Sequence, residues 1–248
     1  MVPELEIVIP VYNEGQNITG VLAALARSVG TSFRVLICYD DDDDDTLEAL
    51  KARGTEGLDV RLVKNRGRGA LGAVVTGFQD SVAPAVMVLP ADDNYNAPRV
   101  DGMMAKLREG YDIVVASRFV RGGCMRGCPL LKAALVRLSS LALRHVARLP
   151  THDPTNGFRL FSRRVVDRIP VESSVGFAYS IELLVKCHRL RWRIGEVPAE
   201  WYQRRQGESR FRVLGWAPQY LTWLRYAFAT TFLRRGPATV TLRDPVAR

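Results

Sequence analysis

Asp92, Asp93 and Asn94 place three oxygen-bearing side chains in a row shortly after an apolar run, Ala85 to Leu89. Adjacent hard oxygen donors suit a divalent cation, which takes one or two carboxylates and completes its shell from water or phosphate oxygens. A longer acidic run, Asp40 to Asp45, follows a second apolar run, Phe33 to Tyr39. Six adjacent carboxylates repel one another, so the run gains stability only where cations or hydrogen-bond donors face it; otherwise it is a solvated loop. A third loop, Pro10-Val11-Tyr12-Asn13-Glu14, offers an aromatic ring to stack on a base and a carboxylate to accept from a ribose or base donor. A fourth, Asn65 to Gly72, carries Gly67, Gly69 and Gly72 with Arg66 and Arg68 between them. That spacing, with Asp92 about twenty residues on, fits the dinucleotide fingerprint. Against it, the motif follows a third strand rather than the first, and its carboxylate is doubled and joined to an amide.

Those loops need a frame. Glu6 to Val11 reads as a buried strand, followed by a helix with Ile18, Val21, Leu22, Leu25 and Val29 on one face, capped near Asn17 or Thr19. Strand patterns recur at Arg34–Tyr39, Val60–Val63, Ala85–Leu89 and Asp112–Ala116, with helical patterns at Thr46–Ala52, Ala70–Phe78 and Arg99–Glu109 between them. Such alternation predicts an α/β fold, a mostly parallel twisted sheet with helices on both faces. Every chemistry-bearing loop then falls at the carboxyl end of a strand, where open sheets bind ligands. The second half is less regular. Pro129–Leu149 predicts a long helix with Leu130, Leu131, Leu135, Leu138 and Leu141 among Lys132, Arg137, Arg144 and Arg148. Arg191–Val197 predicts a strand, and Trp216–Leu233 an amphipathic helix. Both helices either pack on the core or lie flat on a membrane surface, apolar side in.

The 248 residues are 47% apolar and 25% charged, an ordinary globular balance that excludes disorder. The net charge of +9 conceals an asymmetry: residues 1–117 carry a net −7 and residues 118–248 a net +16. Such a split suits a cation handled by one half and an anion by the other. Nucleic acid is not expected, because the basic half lacks aromatic platforms and Cys/His modules. Cys38, Cys124, Cys128 and Cys187 form no metal pattern and read as reduced thiols of a cytosolic protein. No secretory signal and no apolar stretch of spanning length is evident.

The four loops in this order resemble family 2 glycosyltransferases of the GT-A fold, and within them the dolichyl-phosphate mannosyltransferase, or polyprenyl-phosphate glycosyltransferase, group. The resemblance runs over about residues 5–212. Ile7 to Glu14 is similar to the opening motif, Asp40 falls on the base-contacting aspartate, and Ala91-Asp92 on the end of the D-x-D metal motif. Ala116-Ser117-Arg118-Phe119 with Gly122-Gly123, Asp153-Pro154-Thr155-Asn156-Gly157-Phe158-Arg159, Ile194 to Pro198, Arg204 and Gly207-Glu208-Ser209-Arg210 follow in the family's order. Single motifs are weak; the ordered set is strong. Departures are local: Pro90 replaces the first D-x-D aspartate, Tyr39 the first of the aspartate pair, Arg210 a common lysine, and Lys132 and Val136 an arginine and its companion serine.

The resemblance implies an inverting transfer of a mannose- or glucose-like sugar from a GDP- or UDP-sugar to polyprenyl phosphate, on the cytoplasmic face of a membrane. It implies a Mg2+ or Mn2+ ion on Asp92 with Asn94 and Asp93 assisting, and nucleotide contacts by Pro10, Tyr12, Glu14, Cys38, Asp40 and Ala91. Arg204 and Arg210 would neutralise the leaving diphosphate, Arg118 and Lys132 would draw in the acceptor phosphate, and Glu182 would contact the sugar or order Arg204. An anionic acceptor needs no general base. The alternatives are a soluble transferase acting on a hydroxyl acceptor, with Asp153 as base, an inactive nucleotide-sugar-binding module, and a dinucleotide enzyme. Residues 1–212 are expected as the catalytic domain, 213–235 as a C-terminal amphipathic helix, packed on the core or interfacial, and 236–248 as a flexible tail.

Overall fold

The computed structural model describes residues 2–203 and 213–244, with the main chain alone for 213–217. Its first half runs β1 (Leu5–Pro10), α1 (Ile18–Ser28), β2 (Phe33–Tyr39), α2 (Asp45–Arg53), β3 (Val60–Lys64), α3 (Gly69–Asp80), β4 (Ala85–Val88), α4 (Val100–Arg108) and β5 (Ile113–Ser117). The second half follows with β6 (Cys124–Arg126), α5 (Leu130–Leu141), β7 (Arg159–Ser162), α6 (Arg163–Arg168), α7 (Ala178–Arg189), β8 (Ile194–Pro198), β9 (Glu200–Tyr202) and α8 (Val213–Phe232). The large sheet has the order β3-β2-β1-β4-β7-β5-β8. β1 pairs in parallel with β2 and β4, β2 with β3, and β5 with β8.

β7 departs from the expected pattern. It lies antiparallel between β4 and β5, pairing Val86 with Phe161 and Val114 with Leu160. The mostly parallel sheet therefore carries one reversed strand, contributed by Arg159–Ser162.

Successive side chains of a strand point to opposite faces, and the core divides accordingly. Ile7, Ile9, Val35, Ile37 and Met87 face α1 and α4, where Val21, Leu22, Leu25, Met103 and Met104 are buried. Val8, Leu36, Cys38, Val86 and Val88 face α3, α6, α7 and α8. α7 sits deep in that second layer, with eleven of its twelve residues buried. Its polar residues Glu182, Lys186 and Arg189 fall at helical spacing on one face, but that face too is buried. The helix tolerates three buried charges because each finds partners: Lys186 Nζ donates to Glu182 Oε1 at 2.7 Å and to the Pro170 carbonyl at 2.8 Å, and Arg189 Nη2 donates to the Tyr226 carbonyl at 2.7 Å.

α8, for which packing on the core and lying on a membrane surface were both open, packs on α7. Trp223 is 4% exposed, and its indole donates to Ser173 Oγ at 2.8 Å. The segment after it, expected to be flexible, is tied back through residue 244. Val240 enters the core, and Arg243 exchanges main-chain and side-chain bonds with Arg168 at 2.9 and 2.8 Å. The helix expected over 129–149 is divided: α5 ends at Leu141 and passes into a π-helical turn, Ala142–Val146. Among the described residues no helix is long and apolar enough to cross a membrane.

Candidate active site

Parallel strands carry their carboxyl ends to one edge, so the loops after β1, β2, β3, β4 and β5 gather there. The aspartate run, after β2, bonds to both neighbouring loops. Asp40 Oδ1 accepts from Asn65 Nδ2 at 2.6 Å, and its Oδ2 accepts from the Gly69 amide at 2.8 Å. Asp42 pairs with Lys64 on β3. Asp44, 5% exposed, is the N-cap of α2, its Oδ1 accepting from the Thr46 amide at 2.9 Å. Negative charge is favourable at that helix end.

The glycine spacing after β3 has a local cause. Asn65 Oδ1 accepts from the Gly67 amide at 2.8 Å and from Thr76 Oγ1 at 3.2 Å. A Cβ on Gly72 would lie 2.9 Å from that same oxygen and 3.0 Å from the Gly67 carbonyl carbon. The glycines let the loop wrap Asn65. The amino end of α3, where a dinucleotide fingerprint would seat a pyrophosphate, already holds the Asp40 carboxylate. The dinucleotide reading loses its anion site.

After β4, the three oxygen-bearing side chains separate. Asp92 is half-buried. Asp93 is 7% exposed, and Asn96 occupies both its oxygens, through its main-chain amide at 3.0 Å and its side-chain amide at 3.0 and 2.8 Å. Burial pushes the Asp93 carboxyl up to about 7 against those hydrogen bonds. Asn94 is exposed, with its amide nitrogen beside Gly20 of α1. Asp93 is thus a loop fastener rather than a metal ligand, which corrects the expectation for that residue. No group of three His, Cys, Asp or Glu residues that could hold a metal occurs among the described residues. A single carboxylate, Asp92, nevertheless fits an ion of the Mg2+ kind that arrives on a diphosphate, because such ions use few protein ligands.

Asn96 continues the fastening. Its side chain donates to the Glu200 carbonyl at 2.8 Å and accepts from the Glu200 amide at 2.9 Å. This joins the acidic loop to β9, which pairs with β6. Next along β9, Trp201 lies under Lys132 Nζ of α5, 5.6 Å from the ring centroid. The first turn of α5 is thereby brought beside the acidic loop.

Arg118 lies just after β5 and is 9% exposed. Its guanidinium forks onto Asp153, Nε to Oδ2 at 2.6 Å and Nη2 to Oδ1 at 2.7 Å, and Nη2 also reaches Thr155 Oγ1 at 2.7 Å. Asp153 is wholly buried; burial alone would raise its pKa, but the Arg118 fork outweighs it and holds the carboxyl below its ordinary value. Arg159 is also buried, and desolvation lowers its pKa to about 10.

Six further expected residues divide the same way. Tyr12 is 48% exposed, and the Glu14 Oε2 accepts from Asn17 Nδ2 at 2.7 Å. Pro10 is half-buried at the end of β1, whereas Ala91 is 3% exposed. Cys38 is buried beneath the edge, its Sγ against α3 and its carbonyl bonded to the Val11 amide at 2.9 Å, so no Cys38 side chain reaches a ligand there. Glu182 is also fully buried, its oxygens accepting from the Glu172 and Ser173 amides at 2.6 and 2.8 Å and from Lys186. It anchors a loop and cannot contact a sugar. Arg204 and Arg210 lie outside the described residues. Asn65 and Asn96 were missed as organisers; the available signal was an asparagine closely following a predicted strand.

The Glycosyl transferase family 2 model matches residues 6–169. The chain is 24% identical over 215 residues to a dolichol-phosphate mannosyltransferase of Pyrococcus furiosus, covering 84% of this chain and 59% of that protein. It therefore spans about three fifths of that relative's length. It is 28% identical over 211 residues to a dolichyl-phosphate hexose transferase of Haloferax volcanii, with coverage of 84% and 86%. To an undecaprenyl-phosphate mannosyltransferase of Micrococcus luteus it is 29% identical over 210 residues, with coverage of 82% and 85%. Among solved structures, glucosyl-3-phosphoglycerate synthase of Mycobacterium tuberculosis in complex with Mn2+, UDP and its glucosyl product superposes with a TM-score of 0.68. That match covers 92% of this chain and 80% of the other at 19% identity, and it speaks for the fold.

Proposed function

This chain belongs to glycosyl transferase family 2, and from that premise we propose that it moves a hexose from a nucleoside diphosphate sugar to a polyprenyl phosphate at a membrane surface. The observation that carries the lipid acceptor is the outward face of α5. Leu130, Leu131, Leu135, Leu138 and Leu141 are 89, 76, 50, 63 and 53% exposed, while the only residue of that helix buried is Ser140. Arg137, Arg144 and Arg148 accompany them. Apolar residues outward with cations beside them suit insertion among anionic lipid headgroups. Lys132, on the same helix, contacts Trp201, which supports a place for the first turn of α5 next to the acidic loop. The names of the archaeal and bacterial relatives, which act on dolichyl or undecaprenyl phosphate, support the same acceptor class.

In the proposed reaction an oxygen of the acceptor phosphate forms a bond to the anomeric carbon as the bond to the nucleoside diphosphate breaks on the opposite face, inverting the centre. The acceptor arrives as an anion, so no proton need be removed. The geometry favours this over a hydroxyl acceptor, because Asp153, the candidate base, is buried, ion-paired and held ionised below its usual range, and a base needs its proton affinity raised. Tyr12 and Glu14 would face the nucleoside, with Asp40 beside them. Asp92 would hold a Mg2+ or Mn2+ ion; when bound, that ion offsets charge on the departing diphosphate. Lys132 is the acceptor-facing cation, since Arg118 directs two of its nitrogens to Asp153. Arg204 and Arg210 remain candidates for the leaving group.

The test is transfer from GDP- and UDP-hexoses to polyprenyl phosphate in mixed micelles, with and without Mn2+. Metal-dependent glycolipid from one donor is expected, and Asp92→Ala should lower the rate at least about 100-fold. Turnover of a soluble alcohol with no glycolipid from any donor would overturn the acceptor assignment. No metal-dependent transfer to either acceptor would point to a nucleotide-sugar-binding module.

A further inference from the structure

Three consecutive main-chain amides in the loop after β1 are received by three consecutive side chains at the start of α2. Asn13 N–H donates to Asp44 Oδ1 at 3.1 Å, Glu14 N–H to Thr46 Oγ1 at 3.0 Å, and Gly15 N–H to Asp45 Oδ1 at 2.9 Å. Asn13 Oδ1 returns a bond by accepting from the Asp45 amide at 3.4 Å. Asn13 has φ +53°, in the left-handed region that non-glycine residues keep only where their surroundings impose it. At Gly15 the two loops touch so closely that a Cβ would lie 2.8 Å from the Asp45 carbonyl oxygen.

We propose that Asp44 is a positioning residue for donor binding: through Asn13 it fixes the turn that presents Tyr12 and Glu14. The proposal rests on the reading that this loop faces the nucleoside, and it assigns the latching to one atom, Asp44 Oδ1. That oxygen serves both the loop and the first turn of α2, whereas Oδ2 is buried with no hydrogen-bond partner. An asparagine keeps the acceptor and places its amide where Oδ2 lies, so Asp44→Asn should preserve the latch that Asp44→Ala removes. Asp45 is exposed, so Asp45→Ala removes the bond to Gly15 without opening the core.

The experiment titrates UDP and GDP into the full chain by calorimetry and measures KM for donor and acceptor separately. Asp44→Ala is expected to weaken the preferred nucleotide about tenfold or more and to raise donor KM in proportion. Acceptor KM should stay within about twofold, because the latch touches only the donor loop. Asp44→Asn should recover most of the loss, Asp45→Ala should show about a threefold effect, and Asp43→Ala, an exposed neighbour holding neither loop, none. Unchanged donor affinity in Asp44→Ala, or a fall in kcat with donor KM intact, overturns the proposal. Should Asp44→Ala not fold, unchanged affinity in Asp45→Ala overturns it, and a selective donor loss there supports it. Failure of the wild-type chain to bind either nucleotide overturns the nucleoside reading and this proposal with it; binding by the wild type with unaltered variants overturns the latch alone.

Discussion

α5 and α7 are each twelve residues long and rich in aliphatic side chains, yet they are built inside out relative to one another. α7 buries eleven residues, a glutamate and a lysine among them; α5 buries a serine and turns its leucines outward. Composition does not distinguish the two environments. What distinguishes them is where each side chain finds its partner. The α7 charges stay inside because each meets the other and nearby main-chain groups. The α5 leucines stay outside because no described element packs over them, and transferring one such side chain out of water is worth roughly 1.5–3 kcal/mol. Five of them make insertion worth on the order of 10 kcal/mol before the costs of association. α7 is held by the protein, and α5, on the function proposed above, by a membrane.

The largest expected effect lies in α7. Glu182→Ala leaves Lys186 buried against fewer acceptors and frees the amides of Glu172 and Ser173; it should cost about 3–5 kcal/mol in urea unfolding. If Glu182→Ala instead spared stability and removed only activity, the structural role of α7 would be wrong.

A second buried pair sharpens the rule. Asp153→Asn should cost about 2–3 kcal/mol at pH 7, since it removes the charge that Arg118 faces. The sign of its pH dependence follows from the depressed folded pKa of Asp153. Its contribution is complete above the ordinary carboxylate value of 3.8 and disappears as pH falls through the lower folded value. The gap between wild type and variant should therefore close on acidification below about pH 4, read from urea midpoints. A gap that widened in acid would contradict the fork.

The smallest effect on stability belongs to α5. Leu131→Ser with Leu135→Ser should shift unfolding by no more than about 0.5 kcal/mol. The same pair should weaken sedimentation with vesicles containing anionic lipid by at least about tenfold. A large loss of stability would mean these leucines pack on protein after all.

Much of the frame was legible before any coordinates. Apolar runs placed the parallel strands of the first half within a residue, because buried parallel strands read as continuous apolar segments, whereas β8 begins three residues after its expected start and the short pair β6 and β9 was not expected. The need of the aspartate run for facing donors is met at Asp44, which caps α2. Three things were hidden. β7 begins at Arg159, and its apolar stretch, Leu160 and Phe161, is too short to read as a strand. α7 has a helical rhythm, with Glu182, Lys186 and Arg189 on one stripe, but that stripe is buried instead of solvated, so spacing alone does not show which way it faces. The roles of Asp93 and Glu182 were hidden because a carboxylate used as an internal acceptor and one offered to a ligand look alike in one dimension. Only their donors, Asn96 and the 172–173 amides, separate the cases.

The outward leucines of α5 carry a consequence for the protein in a test tube. A row of apolar side chains beside cations has nowhere to go in dilute buffer except against another copy of itself. Purified chain should be colloidally poor, with light scattering that rises with concentration and with added sulfate, since excluded salts strengthen apolar contact. A small amount of mild detergent should clear it by coating that one helix, leaving the fold below it unchanged.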